Sequence, residues 1–231
     1  MHCLILFLAA TPTVFANGEQ QVLQQGGAER EHWMREAISA LDTLISPCPF
    51  AAFGTAIVNH TSTGESNLIC IGANAIGSTG NPTLHGEIAG INNCSSILTD
   101  PQGRFKLSAT EALEAYRDLS LYTTAEPCPM CASAIRWAGF KECIFGTSIP
   151  TLIDLGWGQI DLSSEHLFRH SRSLGTETVL TGGVMEDETD PLFAWQFQRD
   201  QECPFGCHRI EDGGACLPDP DAAQEQWPRE L

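Results

Sequence analysis

The sequence predicts an α/β fold, a sandwich of helices on a mixed sheet. Three observations carry this. Short β-prone runs alternate along the chain with helical segments of apolar period. The first two strand-like runs flank a polar turn, so an antiparallel hairpin opens the sheet. The length, 231 residues, accommodates one substantial domain with extensions.

The elements follow in order. Residues 17–28 are polar and rich in Gln and Gly, and read as loose. Residues 29–46 place Trp33, Ala37, Ile38, Leu41, Leu44 and Ile45 at helical spacing, and Pro47 ends that helix. Residues 52–58 and 68–72 are the hairpin strands, and 77–82 is a loop. Residues 83–98 read as a helix, 109–117 as a short one, 119–123 as a strand, 128–138 as a helix and 141–147 as a strand. The pattern from 148 to 175 is mixed, with Gly156-Trp157-Gly158 marking a loop. A short last strand at 178–181 and a helix at 190–199 complete the domain.

Composition narrows the function classes. Twenty-nine acidic residues against 12 basic ones give a formal charge of -17, a surface that repels polyanions. A nucleic-acid partner is therefore disfavoured. The apolar run Leu4–Ala10, followed by Val14-Phe15-Ala16, reads as a secretory signal over residues 1–16. No other stretch is long and apolar enough to span a bilayer, so no membrane partner is expected. The main domain is expected over 17–200. Residues 201–231 read as a Cys-rich extension held by disulfides and ending in a disordered tip. Of the ten cysteines, Cys143 lies in an apolar strand and is expected as a buried thiol. Cys48, Cys70, Cys94, Cys203, Cys207 and Cys216 are available for up to three disulfides of unassigned pairing. Asn59-His60-Thr61 and Asn93-Cys94-Ser95 are glycosylation sequons in an extracellular protein.

The chemistry concentrates in two short pieces, His85-Gly86-Glu87 and Pro127-Cys128-Pro129-Met130-Cys131. His85, Cys128 and Cys131 supply three zinc ligands and leave the fourth tetrahedral position to water, as in a catalytic site. Glu87, two residues from the histidine, is placed to move protons as the catalytic acid and base. Both clusters fall at helix starts, where unpaired N–H groups and the helix dipole stabilise thiolates and developing negative charge. Alone, Cys128-x-x-Cys131 also fits a redox pair or a disulfide; joined to His85-x-Glu87 it fits zinc. This is the pattern of zinc-dependent base deaminases. His166 and His170, four apart, lack a third ligand at helical spacing and read as ordinary histidines. Cys203, Cys207 and His208 imitate a zinc knuckle, but disulfides suit a secreted chain better.

On these motifs, extended to residues 81–87 and 121–135, the chain resembles the cytidine and deoxycytidylate deaminase superfamily over about 53–197. It is most similar to the branch of guanine deaminases and tRNA adenosine deaminases. The resemblance implies a three-layer α/β/α sandwich with a five-stranded sheet, a Zn2+ cofactor and a homodimer. It also implies substrate-binding roles: Phe53 packing on a base, Asn74 hydrogen-bonding it, and the Gly86 backbone N–H contacting it. Gly86 stands where the family usually has Ala. The acid that helps guanine deaminases select guanine aligns roughly with Thr151, near Asp154. The implied activity is hydrolytic deamination of a small nucleobase or nucleoside. The alternatives are a nucleic-acid editing deaminase and a secreted interaction protein that keeps the fold without turnover.

Overall fold

The computed structural model describes residues 14–60, 67–210 and 214–220. The expected leader falls outside them except for its last residues, which begin the first helix. Helix α1 (Val14–Ser39) tightens into a 3-10 turn (Ala40–Thr43) and ends where Leu44 becomes extended. The polar stretch at 17–28, expected to be loose, is thus helical. Its Gln, Glu and Ala are good helix formers, and their propensity acts without an apolar period. The helix also stops well before Pro47.

Strands β1 (Gly54–Asn59) and β2 (Asn67–Ala73) form the antiparallel hairpin, with an irregularity between Ile57 and Val58. Helices α2 (Ile76–Thr79), α3 (Gly86–Thr99) and α4 (Ala109–Ala115) follow. A capping box fixes the start of α4, Ser108 accepting from the Glu111 N–H while the Glu111 carboxylate accepts from the Ser108 N–H. Strand β3 (Leu119–Ala125) is buried along its whole length. Helix α5 (Pro129–Ala138) ends on Gly139 at φ 79°, a left-handed cap that suits glycine. After β4 (Glu142–Thr147), the mixed stretch resolves into α6 (Ile149–Asp154) and α7 (Ser164–His170), capped by Ser148 and Ser163. Strand β5 (Val179–Thr181) is the last of the main sheet. Of the helix expected at 190–199 only the short α9 (Pro191–Ala194) forms, opened by a proline, which lacks an N–H, and preceded by α8 (Glu186–Thr189). Strands β6 (Cys207–Arg209) and β7 (Cys216–Pro218) make a small antiparallel ribbon.

The five-stranded sheet runs β2-β1-β3-β4-β5. Strand β1 is antiparallel to both neighbours, whereas β3, β4 and β5 are parallel, so the sheet is mixed. Alternate residues serve its two faces. Ala56, Val58, Tyr122 and Ile144 pack against Trp33, Met34 and Ala37 of α1. Ile57, Leu121 and Cys143 point the other way, toward Cys94 and Leu98 of α3, Ile135 of α5 and Phe168 of α7. This is the three-layer α/β/α sandwich, and Cys143 is a buried free thiol in it. Disulfides join Cys48 to Cys207, Cys70 to Cys94 and Cys203 to Cys216. Among the described residues, no helix is long and apolar enough to cross a membrane.

Candidate active site

Two helix starts meet at one end of the sheet. The first is set by close packing. Helix α3 lies so near the hairpin that a β-carbon on Gly72 would fall 2.1 Å from the Gly90 nitrogen. The Cys70–Cys94 bond ties β2 to α3 on the same side. These constraints fix His85, the N-cap of α3, and Glu87 in its first turn.

The second start is set by hydrogen bonds. Glu126, buried just after β3, accepts from the N–H of Ile149 at 2.9 Å and of Ser164 at 2.7 Å, the first residues of α6 and α7. Its own N–H donates to the Thr147 carbonyl at 2.7 Å. The Ser164 hydroxyl donates to the Pro127 carbonyl at 2.8 Å. The loop into α5 is therefore held from several sides. Cys128 is the N-cap of α5, Pro129 opens it, and Cys131 completes the first turn.

The structure brings His85, Cys128 and Cys131 together, with their ligand atoms all within 4.8 Å of one another. Cys128 Sγ lies 3.6 Å from His85 Nδ1. Tetrahedral zinc with bonds of roughly 2.0–2.3 Å keeps its ligand atoms about 3.3–3.8 Å apart. The donor set and its spacing fit zinc. The sulfurs interact strongly. A hydrogen bond with Cys131, reinforced by His85, pulls the Cys128 thiol down to about 4. The same bond, together with burial, pushes Cys131 far up. Contact with Cys128 also raises His85. The surroundings of Cys128, an imidazole and a helix N-terminus, favour its thiolate form.

Glu87 is buried beside the three ligands. Desolvation raises its carboxyl to about 7, while hydrogen bonds to its backbone and to Cys131 work in the other direction. A cleft of about 840 Å3 opens over the site, lined in part by Phe53, Asn74, His85, Glu87 and Cys128. This is within the size of small-molecule sites. Phe53 contacts Trp157 and Phe193 with ring centroids 5.4 and 4.9 Å away. The Asn74 backbone donates to the Phe53 carbonyl, and its side-chain oxygen accepts from the Ile76 N–H at 3.2 Å, leaving the amide NH2 for the cleft. Gly86 is buried at the start of α3 and Cys131 in the first turn of α5; neither lines the cleft.

Among the cleft residues that sequence reasoning missed are Phe50, Glu126, Trp157 and Gln159. Glu126, directly before the Pro-Cys motif, was the most findable. Thr151 and Asp154 do not line the cleft: the Thr151 N–H bonds to Ser148 in the cap of α6, and Asp154 is exposed at its end. His166 and His170 are exposed, with rings 4.6 Å apart. His208 pairs with Asp219 at 2.9 Å, and Cys203 and Cys207 are in disulfides. Among the described residues, His85, Cys128 and Cys131 are the one group of three or more that meets the spacing of a metal site.

The family model of the cytidine and deoxycytidylate deaminase zinc-binding region matches residues 28–147. The chain is 30% identical to a guanine deaminase of Bacillus subtilis over 46% of its own length and 56% of that protein. It is 33% identical to a tRNA-specific adenosine deaminase of Haemophilus influenzae over 48% of its length and 63% of that protein. The matches thus span less than two thirds of either relative. A solved guanine deaminase from Nitrosomonas europaea shares the fold at a TM-score of 0.51 and 16% identity, covering 71% of this chain and 81% of that one.

Proposed function

Because the chain belongs to the cytidine and deoxycytidylate deaminase zinc-binding family, we propose that it is a zinc-dependent hydrolytic deaminase of a small, uncharged nucleobase or nucleoside. Water adds to the amine-bearing ring carbon, the C–N bond breaks, a carbonyl forms and ammonia leaves.

The observation that carries this reading is Glu87: a buried carboxyl poised near neutrality, facing the cleft beside a zinc-type ligand set. His85, Cys128 and Cys131 hold the ion. Zinc bound there supplies Lewis acidity that makes water a usable nucleophile near neutral pH. Glu87 accepts one proton from the attacking water and delivers it to the ring nitrogen, then carries the second proton, from the new hydroxyl, to the departing amine. Burial raises its carboxyl toward neutrality, which favours a group that both takes and gives a proton. Phe53 offers the base a ring to pack on and Asn74 a polar partner, whereas Gly86, which does not line the cleft, stays a structural residue at the start of α3.

The cleft argues for an uncharged substrate. No Lys or Arg lines it among the described residues, and two carboxylates do. A phosphate would find no counter-charge, and the overall charge of -17 repels RNA and DNA. The three disulfides support a place outside the cell, where such bonds persist, and secretion is part of this proposal.

The test is ammonia release from a panel of free bases, nucleosides and nucleotides, with Glu87→Ala as control. Release from a base or nucleoside that depends on Glu87 supports the reading. Tight, salt-sensitive RNA binding with activity only on RNA would replace it with an editing enzyme.

A further inference from the structure

Most polar side chains at the cleft are already satisfied by the protein. Thr43 donates to Ala40, Ser78 to Ala75, and Glu126 accepts from two helix starts. Gln159 is different. It is half-buried on the cleft wall and its amide has no partner among the described residues. The amide stays open to solvent, so a ring that displaces water from this wall must offer it hydrogen-bond partners in exchange.

The loop that carries it is anchored at Trp157. Two residues earlier, the Trp157 indole N–H donates to the Phe193 carbonyl at 2.8 Å, and the Trp157 backbone N–H donates to Leu152. The Trp157 ring is wedged among Phe50, Phe53 and Phe197, with centroids 5.3–5.5 Å away. Gly156, at φ 102°, makes the turn that admits it. The loop is thus an aromatic anchor with one free amide beyond it.

We infer that Gln159 is a specificity-determining residue that reads the polar edge of the substrate ring. An amide presents a donor and an acceptor side by side. It pairs with a lactam edge, N–H beside C=O, or with an amidine edge, ring N beside NH2. The ligand class is an uncharged aromatic heterocycle bearing such an edge, stacked beside Phe53 and Trp157. This inference rests on the deaminase reading for its enzymatic test, but not for its binding test.

The experiment uses the full chain and Gln159→Leu and Gln159→Glu variants. Guanine, adenine, cytosine and cytidine are assayed for ammonia release, with zinc content and Tm alongside. For the preferred substrate, Gln159→Leu is expected to lower kcat/KM by about tenfold or more, chiefly through KM, with zinc and Tm unchanged. Gln159→Glu, an acceptor only when ionised, is expected to reorder the substrates toward those with adjacent donors. Unchanged kcat/KM and unchanged ranking in both variants would overturn the inference while leaving the deaminase reading intact. In parallel, quenching of tryptophan fluorescence by the same four compounds is titrated in the Glu87→Gln background with and without Gln159→Leu. Binding that weakens with Gln159→Leu, without turnover by the wild type, would sink the deaminase reading and uphold Gln159. Neither binding nor turnover of any of them would overturn both.

Discussion

Gly86 and Phe53 touch backbone to backbone: a β-carbon on Gly86 would lie 2.3 Å from the Phe53 carbonyl oxygen. That oxygen already accepts from the Asn74 N–H at 3.0 Å, so it is not free to move. The resemblance places an alanine here, but in this chain the helix start lies too close to the backbone before β1 to admit a β-carbon without a shift. Gly86→Ala is expected to cost about 1–3 kcal/mol and, by pushing the start of α3 outward, to lower zinc occupancy when zinc is limiting. Denaturant titration and metal analysis check it. Wild-type stability and occupancy together would show that the contact relaxes freely.

Glu87→Gln separates chemistry from folding. The amide keeps the shape of the carboxyl and removes the cost of burying a charge. Turnover is expected to fall by about 10²–10⁴, with zinc retained. The pH dependence of stability follows from the raised carboxyl. A group whose folded value is above its unfolded one binds more protons in the folded state between the two, so stability falls as pH rises through that window. In chelated protein, the wild type should therefore lose stability between about 4.5 and about 7 relative to Glu87→Gln. Parallel curves for the two proteins across that window would refute the burial argument.

Metal removal tests the ligand set. Because the three ligands sit on two helix starts and the ion binds only the folded arrangement, zinc stabilises by mass action, about 4 kcal/mol at a thousand times Kd. A strong chelator should lower Tm, and zinc should restore it. Cys131→Ala should abolish both the bound metal and the Tm response. Stoichiometric zinc in that variant would remove Cys131 from the site.

The parts of the site that were legible in the sequence are those built by local spacing. Cys128 and Cys131 are three apart and share one helical turn, and Glu87 follows His85 by two; such relations survive any arrangement of the rest. The strands were legible because β-prone runs such as 119–125 and 142–147 are buried on both faces. The far wall of the cleft was not legible. Phe50 is far along the chain from Trp157 and Gln159, and it meets Trp157 through ring packing, with the Trp157–Phe193 bond holding the loop, which no local pattern encodes. The polar part of α1 at 17–28 was missed because its propensity carries no apolar period, and the helix at 190–199 was drawn too long because Leu192, Phe193, Trp195 and Phe197 follow one another at helical spacing. The disulfide pairing was unreadable in principle, since six cysteines allow fifteen pairings.

The Cys48–Cys207 bond gives a last prediction, on binding rather than chemistry. Cys48 lies in the strap that carries Ser46, Pro49 and Phe50 along the cleft wall, and Cys207 begins β6 of the C-terminal ribbon. Trp195 is buried against the bond. The bond joins residues 159 apart, which in the chain-entropy model amounts to about 5 kcal/mol at most. The double variant Cys48→Ser, Cys207→Ser should lower Tm and, by freeing the strap, raise KM. It should leave kcat and zinc content unchanged, because the strap holds none of the reacting groups. Opening Cys70–Cys94 in the same way should instead reduce zinc occupancy, because that bond ties down the helix that begins at His85. If opening Cys48–Cys207 lowered kcat at constant KM, or released zinc, the strap would be supporting the catalytic groups themselves rather than the substrate wall.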